Sequence, residues 1–268
     1  MNITRIAHAL IARLFFWGNR QCNICGHRVS WFLPYRGGWR SAPPLIRALD
    51  IIGSDLDNFE CPWCGATDRE RHLLMYMHAA GLFDALPGMA VLHFAPERRL
   101  SKLIAATIPA RYIKCDLYPG APGVERVDIQ AIPYPDKTFD LVIANHVLEH
   151  VTDDAGALEE VRRILKPGGY AILQTPFSAK LRETWSDPGI DDDRARLQAY
   201  GQEDHVRLFG RSIVERFAAV GFISRVREHR GALEEFDPEK YGVNVAEPFF
   251  LFERNDEHAI AGPLGKSG

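Results

Sequence analysis

From Met89 onward the chain alternates apolar runs with stretches of helical spacing, and this alternation narrows its folds more than any other feature. The apolar runs fall at 89–94, 111–115, 124–128, 139–144, 170–175, 222–227 and 248–253. Helical spacing occupies 98–107, 153–165 and 210–220. Strand-then-helix alternation of this kind predicts a parallel sheet covered by helices on both faces. Residues 177–209 break the pattern with a long polar segment, too long for a simple connection, which we expect to form a lid or substrate loop.

The upstream third is different. Ile3, Ile6, Ala7, Leu10, Leu14 and Trp17 share one helical face, so a helix is expected there, docked on its own protein or lying on a membrane surface. Gly18 and Asn19 stop it. Helical spacing resumes at 69–82. The expected division is an amphipathic helix at 1–19, a small module with its linking helix at 20–80, the α/β domain at 81–254 and a frayed tail at 255–268. No run of eighteen apolar residues occurs and no cleavage site follows the first apolar stretch, so a cytoplasmic chain without a transmembrane segment is expected. Residues 1–49 carry seven arginines and no acid, which leaves net −10 on the remainder of a chain whose total is −3. Such an arm either neutralises the acidic body or meets an anionic partner.

Cys22-Asn-Ile-Cys25-Gly and Cys61-Pro-Trp-Cys64-Gly are paired C-x-x-C knuckles. Two intervening residues let both sulfurs of a knuckle converge on one ion, and the glycine that follows allows the tight turn. Four thiolates satisfy tetrahedral Zn²⁺ and leave no open position, so the expected site is structural. The thirty-five or so residues between knuckles exceed ordinary zinc-ribbon spacing. A disulfide framework is the poorer account because nothing looks secreted, and redox chemistry at two glycine-followed knuckles is poorer still. Cys115 ends an apolar run and reads as a packed thiol.

In doubly wound folds, ligands lie beyond the C-terminal ends of strands where strand order reverses. Val91 to Glu97 reads as a first strand entering a turn. Asp116 closes the next strand nineteen residues later, a separation that suits a carboxylate accepting from both hydroxyls of a ribose. Val127-Asp128-Ile129 and Phe139 to His146 follow, and Leu165-Lys166-Pro167-Gly168-Gly169 reads as a helix stop before a new strand.

Residues 60–254 resemble the class I S-adenosylmethionine (SAM)-dependent methyltransferases of the type 11 group. The resemblance rests on "FDLVIANHVLEHV…ALEEVRRILKPGGYAILQTP", with "CPWCGATDRERHLL" and "VLHFAPE" similar to relatives that carry an N-terminal cysteine module. It implies a Rossmann-like sheet of order 3-2-1-4-5-7-6 with the last strand antiparallel, behind a zinc-ribbon-like module. It also implies SAM at the C-terminal edge. The turn His93, Phe94, Ala95, Pro96 and Glu97 would hold the methionine part, Asp116 the ribose hydroxyls, and Asp128 with Ile129 the adenine, with Leu117 also among the cofactor-binding residues. Asn145 and His146 would border the sulfonium. One departure stands out: His93 occupies the place of an acid, and the turn after it lacks the glycines that permit positive φ.

For a hydroxyl acceptor a base is needed, and His205 and His146 are the candidates. His150 beside Glu149 reads as a structural pair. Asp204, His205 and Arg207 together offer an orienting carboxylate, a base and an anion contact. Asp191-Asp192-Asp193 reads as a hydrated acidic turn. Arg69, Arg71 and His72 either tie the module to the α/β domain or face an anionic acceptor. The expected activity is methyl transfer to a small-molecule or saccharide acceptor at oxygen. The rivals are an RNA methyltransferase that holds RNA with its basic module, opposed by the absence of a recognisable RNA-binding motif, and a non-catalytic scaffold of the same fold.

Overall fold

The computed structural model describes residues 11–12 and 18–255. The helix expected over 3–17 and the tail expected from 255 thus lie outside the described residues, apart from Ile11, Ala12 and Asn255. Two short strands, β1 (Arg20–Gln21) and β2 (Arg28–Val29), form an antiparallel knuckle hairpin. A third, β3 (Ile51–Ile52), comes later in the same module. The main sheet takes β4 (Ala90–Phe94), β5 (Arg111–Asp116), β6 (Glu125–Arg126), β7 (Phe139–Ala144) and β8 (Leu165–Ile172). After an excursion through β9 (Phe177–Ser178) and β10 (Phe209–Gly210), the chain completes that sheet with β11 (Phe222–Ser224) and β12 (Leu251–Arg254).

In space the seven strands run β6-β5-β4-β7-β8-β12-β11. Counted along the chain, this is the order 3-2-1-4-5-7-6, and only β12 runs antiparallel to its neighbours. The central strands are buried on both faces, as parallel sheets require. Along β7, Phe139, Val142 and Ala144 enter one apolar core while Leu141 and Ile143 enter the other. The helices Leu100–Ala106, Asp154–Ile164 and Ile213–Ala218 lie inside their expected spans.

Three expectations change. β6 keeps two residues of the run 124–128, because Asp128 turns the chain by accepting from the Gln130 amide at 2.9 Å. β8 starts at Leu165 rather than 170: Leu165 pairs with Phe139 and Tyr170 with Leu141, so the Lys166–Gly169 segment bulges out of the ladder instead of preceding it. The polar segment 177–209 is built rather than loose. Its β9 lies between β3 and β10 in a second, three-stranded sheet, and its helix Asp193–Tyr200 packs Ala199 and Tyr200 with Leu49, Ile51 and Trp185. Asp192 is the N-cap of that helix, accepting from Ala195 N, which gives the acidic triplet a capping role.

The module is fused to the α/β domain. The helix Asp68–Ala79 opens with a capping box between Thr67 and Glu70. Its Leu73, Met75 and Met77 share a core with Val91 and Leu141. Arg71, fully buried, donates to the carbonyls of Asn58, Phe59, Ala66, Tyr241 and Gly242 and stacks over Phe32 at 3.8 Å. A single guanidinium therefore binds the segment around the second knuckle to the C-terminal segment.

Candidate functional site

Parallel register brings the ends of β4, β5, β6 and β7 to one sheet edge: Phe94 lies beside Cys115 and Ala144, and Cys115 beside Glu125. Asp116 closes β5, and Ala95, Asp128 and Asn145 follow the ends of the other three. Ala95 takes φ +45° and Pro96 follows it, so the turn keeps a left-handed residue although no glycine is present. That conformation costs a non-glycine residue about 1–2 kcal/mol. The Ala95 amide is held by the Cys115 carbonyl at 2.8 Å.

The His93 ring faces inward, with Nδ1 2.9 Å from the Tyr112 hydroxyl and Nε2 3.0 Å from Glu97. Both nitrogens are engaged within the protein, so the group at this edge with oxygen to offer is Glu97, which also accepts from the Asn145 amide. Burial opposes ionisation of Glu97, but the hydrogen bond and charge of His93 outweigh it and hold its pKa below the usual value. Asp116 is half-buried, with Oδ1 accepting from Tyr118 N at 2.8 Å, and Leu117 beside it is exposed. The Ile129 side chain, next to Asp128, is buried in the core with Val127.

The acceptor-side candidates come together from distant segments. A cavity of about 70 Å³ is walled by Gly53 and Ser54 of the module, Arg69, His146, Pro176, Tyr200 and His205. Both candidate bases thus line one space. His146 stands in a left-handed conformation (φ +56°), its amide held by the Gln174 carbonyl at 2.7 Å. Its Nδ1 is 3.1 Å from Glu149 and its Nε2 is 3.7 Å from Glu247. Burial and Arg69 disfavour its protonation, yet the two carboxylates raise its pKa. Glu247 in turn is drawn down to about 2, against the cost of burial, by His146 and His72. His205 differs in being lowered by burial to about 4; its Nδ1 is 3.0 Å from the Tyr200 carbonyl, and its buried Nε2, like that of His146, has no hydrogen-bond partner.

Two sequence assignments in this region are corrected. Asp204 does not orient His205; it sits 3.2 Å from His150 Nδ1. Arg207 offers no anion contact, since it is buried against Asp154 and the carbonyls of Val151 and Thr152. Sequence reasoning also missed Glu149 and Glu247 as the carboxylates around His146. His72 belongs to the same buried network, 3.2 Å from Glu247 and 2.8 Å from His229. Arg69 donates to Ser54 at 2.6 Å and borders the cavity.

The four knuckle cysteines converge, with every sulfur within 4.8 Å of the others. Cys22 and Cys64 are 3.8 Å apart and Cys25 and Cys61 are 3.9 Å apart. A tetrahedron with Zn–S bonds of about 2.3 Å has edges of about 3.8 Å, so the donor set fits that ion. Gly26 and Gly65 both take φ +75°, and each amide returns to the first cysteine carbonyl of its knuckle at 2.8 and 2.9 Å. Hydrogen bonding from Cys22 lowers Cys61 and Cys64 to about 7.

The sheet order and its crowded C-terminal edge define the Rossmann-like class I methyltransferase fold. Residues 87–173 match the family described as a methyltransferase domain. A malonyl-[acyl-carrier protein] O-methyltransferase of Halorhodospira halophila is 29% identical over 45% of this chain and 36% of its own length. The ubiquinone/menaquinone biosynthesis C-methyltransferase UbiE of Hydrogenovibrio crunogenus is 33% identical over 43% of this chain and 55% of its own. The chain thus spans about a third to a half of these two relatives. Among solved structures, a SAM-dependent methyltransferase of Mesorhizobium loti is 17% identical at TM-score 0.45, covering 66% of this chain and 94% of that one. The complex of the Haloferax volcanii Trm112 methyltransferase activator with a methyltransferase has a chain 16% identical at TM-score 0.46, covering 70% and 92%. No helix among the described residues is long and apolar enough to cross a membrane.

Proposed function

We propose that this chain moves a methyl group from SAM to an oxygen of a small-molecule or saccharide acceptor. The reading is carried by Ala95, Asp116, Asp128 and Asn145, which stand at or just past the C-terminal ends of four neighbouring parallel strands within the matched domain. The half-buried Asp116 carboxylate, tied by one oxygen to its own loop, suits a ribose diol. The open turn at Phe94, Ala95 and Pro96 would let the main chain approach the methionine portion, with Glu97 as its polar contact. Leu117 and Asp128 would flank the adenine, and Asn145 would face the sulfonium. SAM, when bound, supplies a methyl already activated for in-line displacement.

The protein's remaining work is to align the acceptor and take its proton. His205 suits the second task, because Tyr200 keeps the proton on Nδ1 and leaves a lone pair on Nε2 at the cavity wall. His146, pinned between two carboxylates, would orient the acceptor beside Asn145. Cys22, Cys25, Cys61 and Cys64 would hold a structural zinc that fastens the module forming the cavity's outer wall.

Calorimetry with SAM or its demethylated product tests the reading. Asp116→Ala should weaken binding by about 1.5–3 kcal/mol, the range for hydrogen bonds to a charged group. Binding unchanged in that variant would misplace the ribose, and a folded wild-type chain that binds neither compound would overturn the reading altogether.

A further inference from the structure

We propose that Glu149, His150 and His205 form a site for a divalent cation of the zinc–cobalt class, separate from the four cysteines. One donor atom from each of the three lies within 4.8 Å of the others. His205 Nε2 is 3.9 Å from Glu149 Oε1, about half an ångström beyond the ~3.4 Å edge of a tetrahedral site with bonds near 2.1 Å. The His150 donor stands within 4.8 Å of the other two, so side-chain rotation has to draw it in.

The second observation is the bare nitrogen. His205 is 3% exposed and its Nε2 has no hydrogen-bond partner, an arrangement that costs a buried polar atom about 1–3 kcal/mol. A cation would remove that cost. The surroundings prepare the donors as outer partners of metal sites do. The Tyr200 carbonyl accepts from His205 Nδ1 and so aims the lone pair of Nε2 at Glu149. The Asp204 carboxylate steadies the His150 ring. The Thr175 hydroxyl holds the far oxygen of Glu149 at 2.8 Å. The Val206 amide bonds the Glu149 carbonyl at 2.9 Å, which clamps the histidine-bearing segment against the carboxylate.

Charge and access agree with the assignment. Glu149, which also lies 3.1 Å from His146 Nδ1, and Asp204, 3.2 Å from His150 Nδ1, are the carboxylates that face a dication here. The His150 side chain is 32% exposed, so an ion can reach the buried donors past it. One carboxylate and two imidazoles prefer borderline transition ions to magnesium or calcium.

Ion binding here stands independently of methyl transfer; only its consequence rests on that reading. A cation beside the acceptor cavity would activate a hydroxyl by Lewis acidity, where a bare imidazole would do so by accepting a proton. Nε2 of His205 can serve one role at a time, so a metal measurement decides between them.

The test is a Co²⁺ titration of the full chain after dialysis against a weak chelator, with the cation alone as probe. The wild-type protein should take up Co²⁺ with visible bands that lack thiolate charge transfer. His205→Asn, which keeps a donor for the Tyr200 carbonyl, and His150→Ala should each weaken that uptake by more than about 10-fold, with SAM binding unchanged. A folded wild-type protein that shows only thiolate-type Co²⁺ bands, or equal uptake in both variants, overturns the proposal. Loss of SAM binding in the wild-type chain would instead sink the methyl-transfer reading and leave this one standing.

Discussion

The cofactor half of the sheet edge takes its side chains from Ala95, Asp116, Asp128 and Asn145, each at or within two residues of the end of a strand of the parallel sheet. The acceptor half gathers Gly53 and Ser54, Arg69, His146, Pro176, Tyr200 and His205 from the module, the sheet edge and the polar excursion. In the first half, strand register alone sets the geometry. In the second, geometry depends on how three separate segments dock. Damage to the module should therefore reach the acceptor side while sparing the cofactor row, and that asymmetry can be broken experimentally.

The largest effect should come from the cysteine cluster. Metal binding in such modules is folding free energy, about 10–16 kcal/mol in small zinc peptides, so Cys61→Ser should lower the melting temperature and release about one zinc per chain in elemental analysis. A protein purified without metal, with all four thiols freely reactive, would refute the zinc assignment. Loosening the module should also free β3 from β9, seen as faster amide exchange at 51–54 and 177–178 than at 90–94.

Arg71→Leu is the next test. It removes the donor shared by five backbone carbonyls, and each buried acceptor left unpaired costs about 1–3 kcal/mol. A loss of at least about 3 kcal/mol in denaturant unfolding is expected. Arg71→Lys should not restore it, since an ammonium cannot spread donors across the fork of a guanidinium. Stability equal to wild type in both variants would show that the module docks without this clamp.

How much could be read in the sequence follows the same division. The seven main strands were legible as apolar runs alternating with helical spacing, which are local signals; their spatial order came from the family resemblance, and the bounds of β6 and β8 shifted. β3, β9 and β10 were not, being two-residue strands whose partners lie more than a hundred positions apart for β3 and β9. Glu149 read as half of a helical pair with His150, because nothing local shows that its carboxylate turns to His146 and Thr175. Arg207 read as an anion contact because its partner, Asp154, lies 53 positions away. The glycine-poor turn shows the limit from the other side: composition warned of strain at Ala95 but could not say that the backbone adopts the left-handed conformation anyway.

That turn supplies the smallest effect and the sharpest test of the cofactor half. If Ala95 stays at φ +45° because the Cys115 carbonyl holds its amide and Glu97, braced by His93 and Asn145, holds the far side, the strain is carried by the surroundings. Ala95→Gly removes the steric part of that cost, about 1–2 kcal/mol. It also adds backbone entropy to the unfolded chain, worth about 0.4–1 kcal/mol in the opposite direction. The net change in unfolding free energy should therefore lie between zero and about 1.6 kcal/mol in favour of glycine, and SAM affinity should stay near that of the wild type because the turn keeps its shape. A destabilised glycine variant would mean that the left-handed turn is not where this strand end relaxes. A clear gain in SAM affinity would mean that the alanine methyl holds the main chain away from the cofactor, so that the missing glycine tunes binding rather than merely being tolerated.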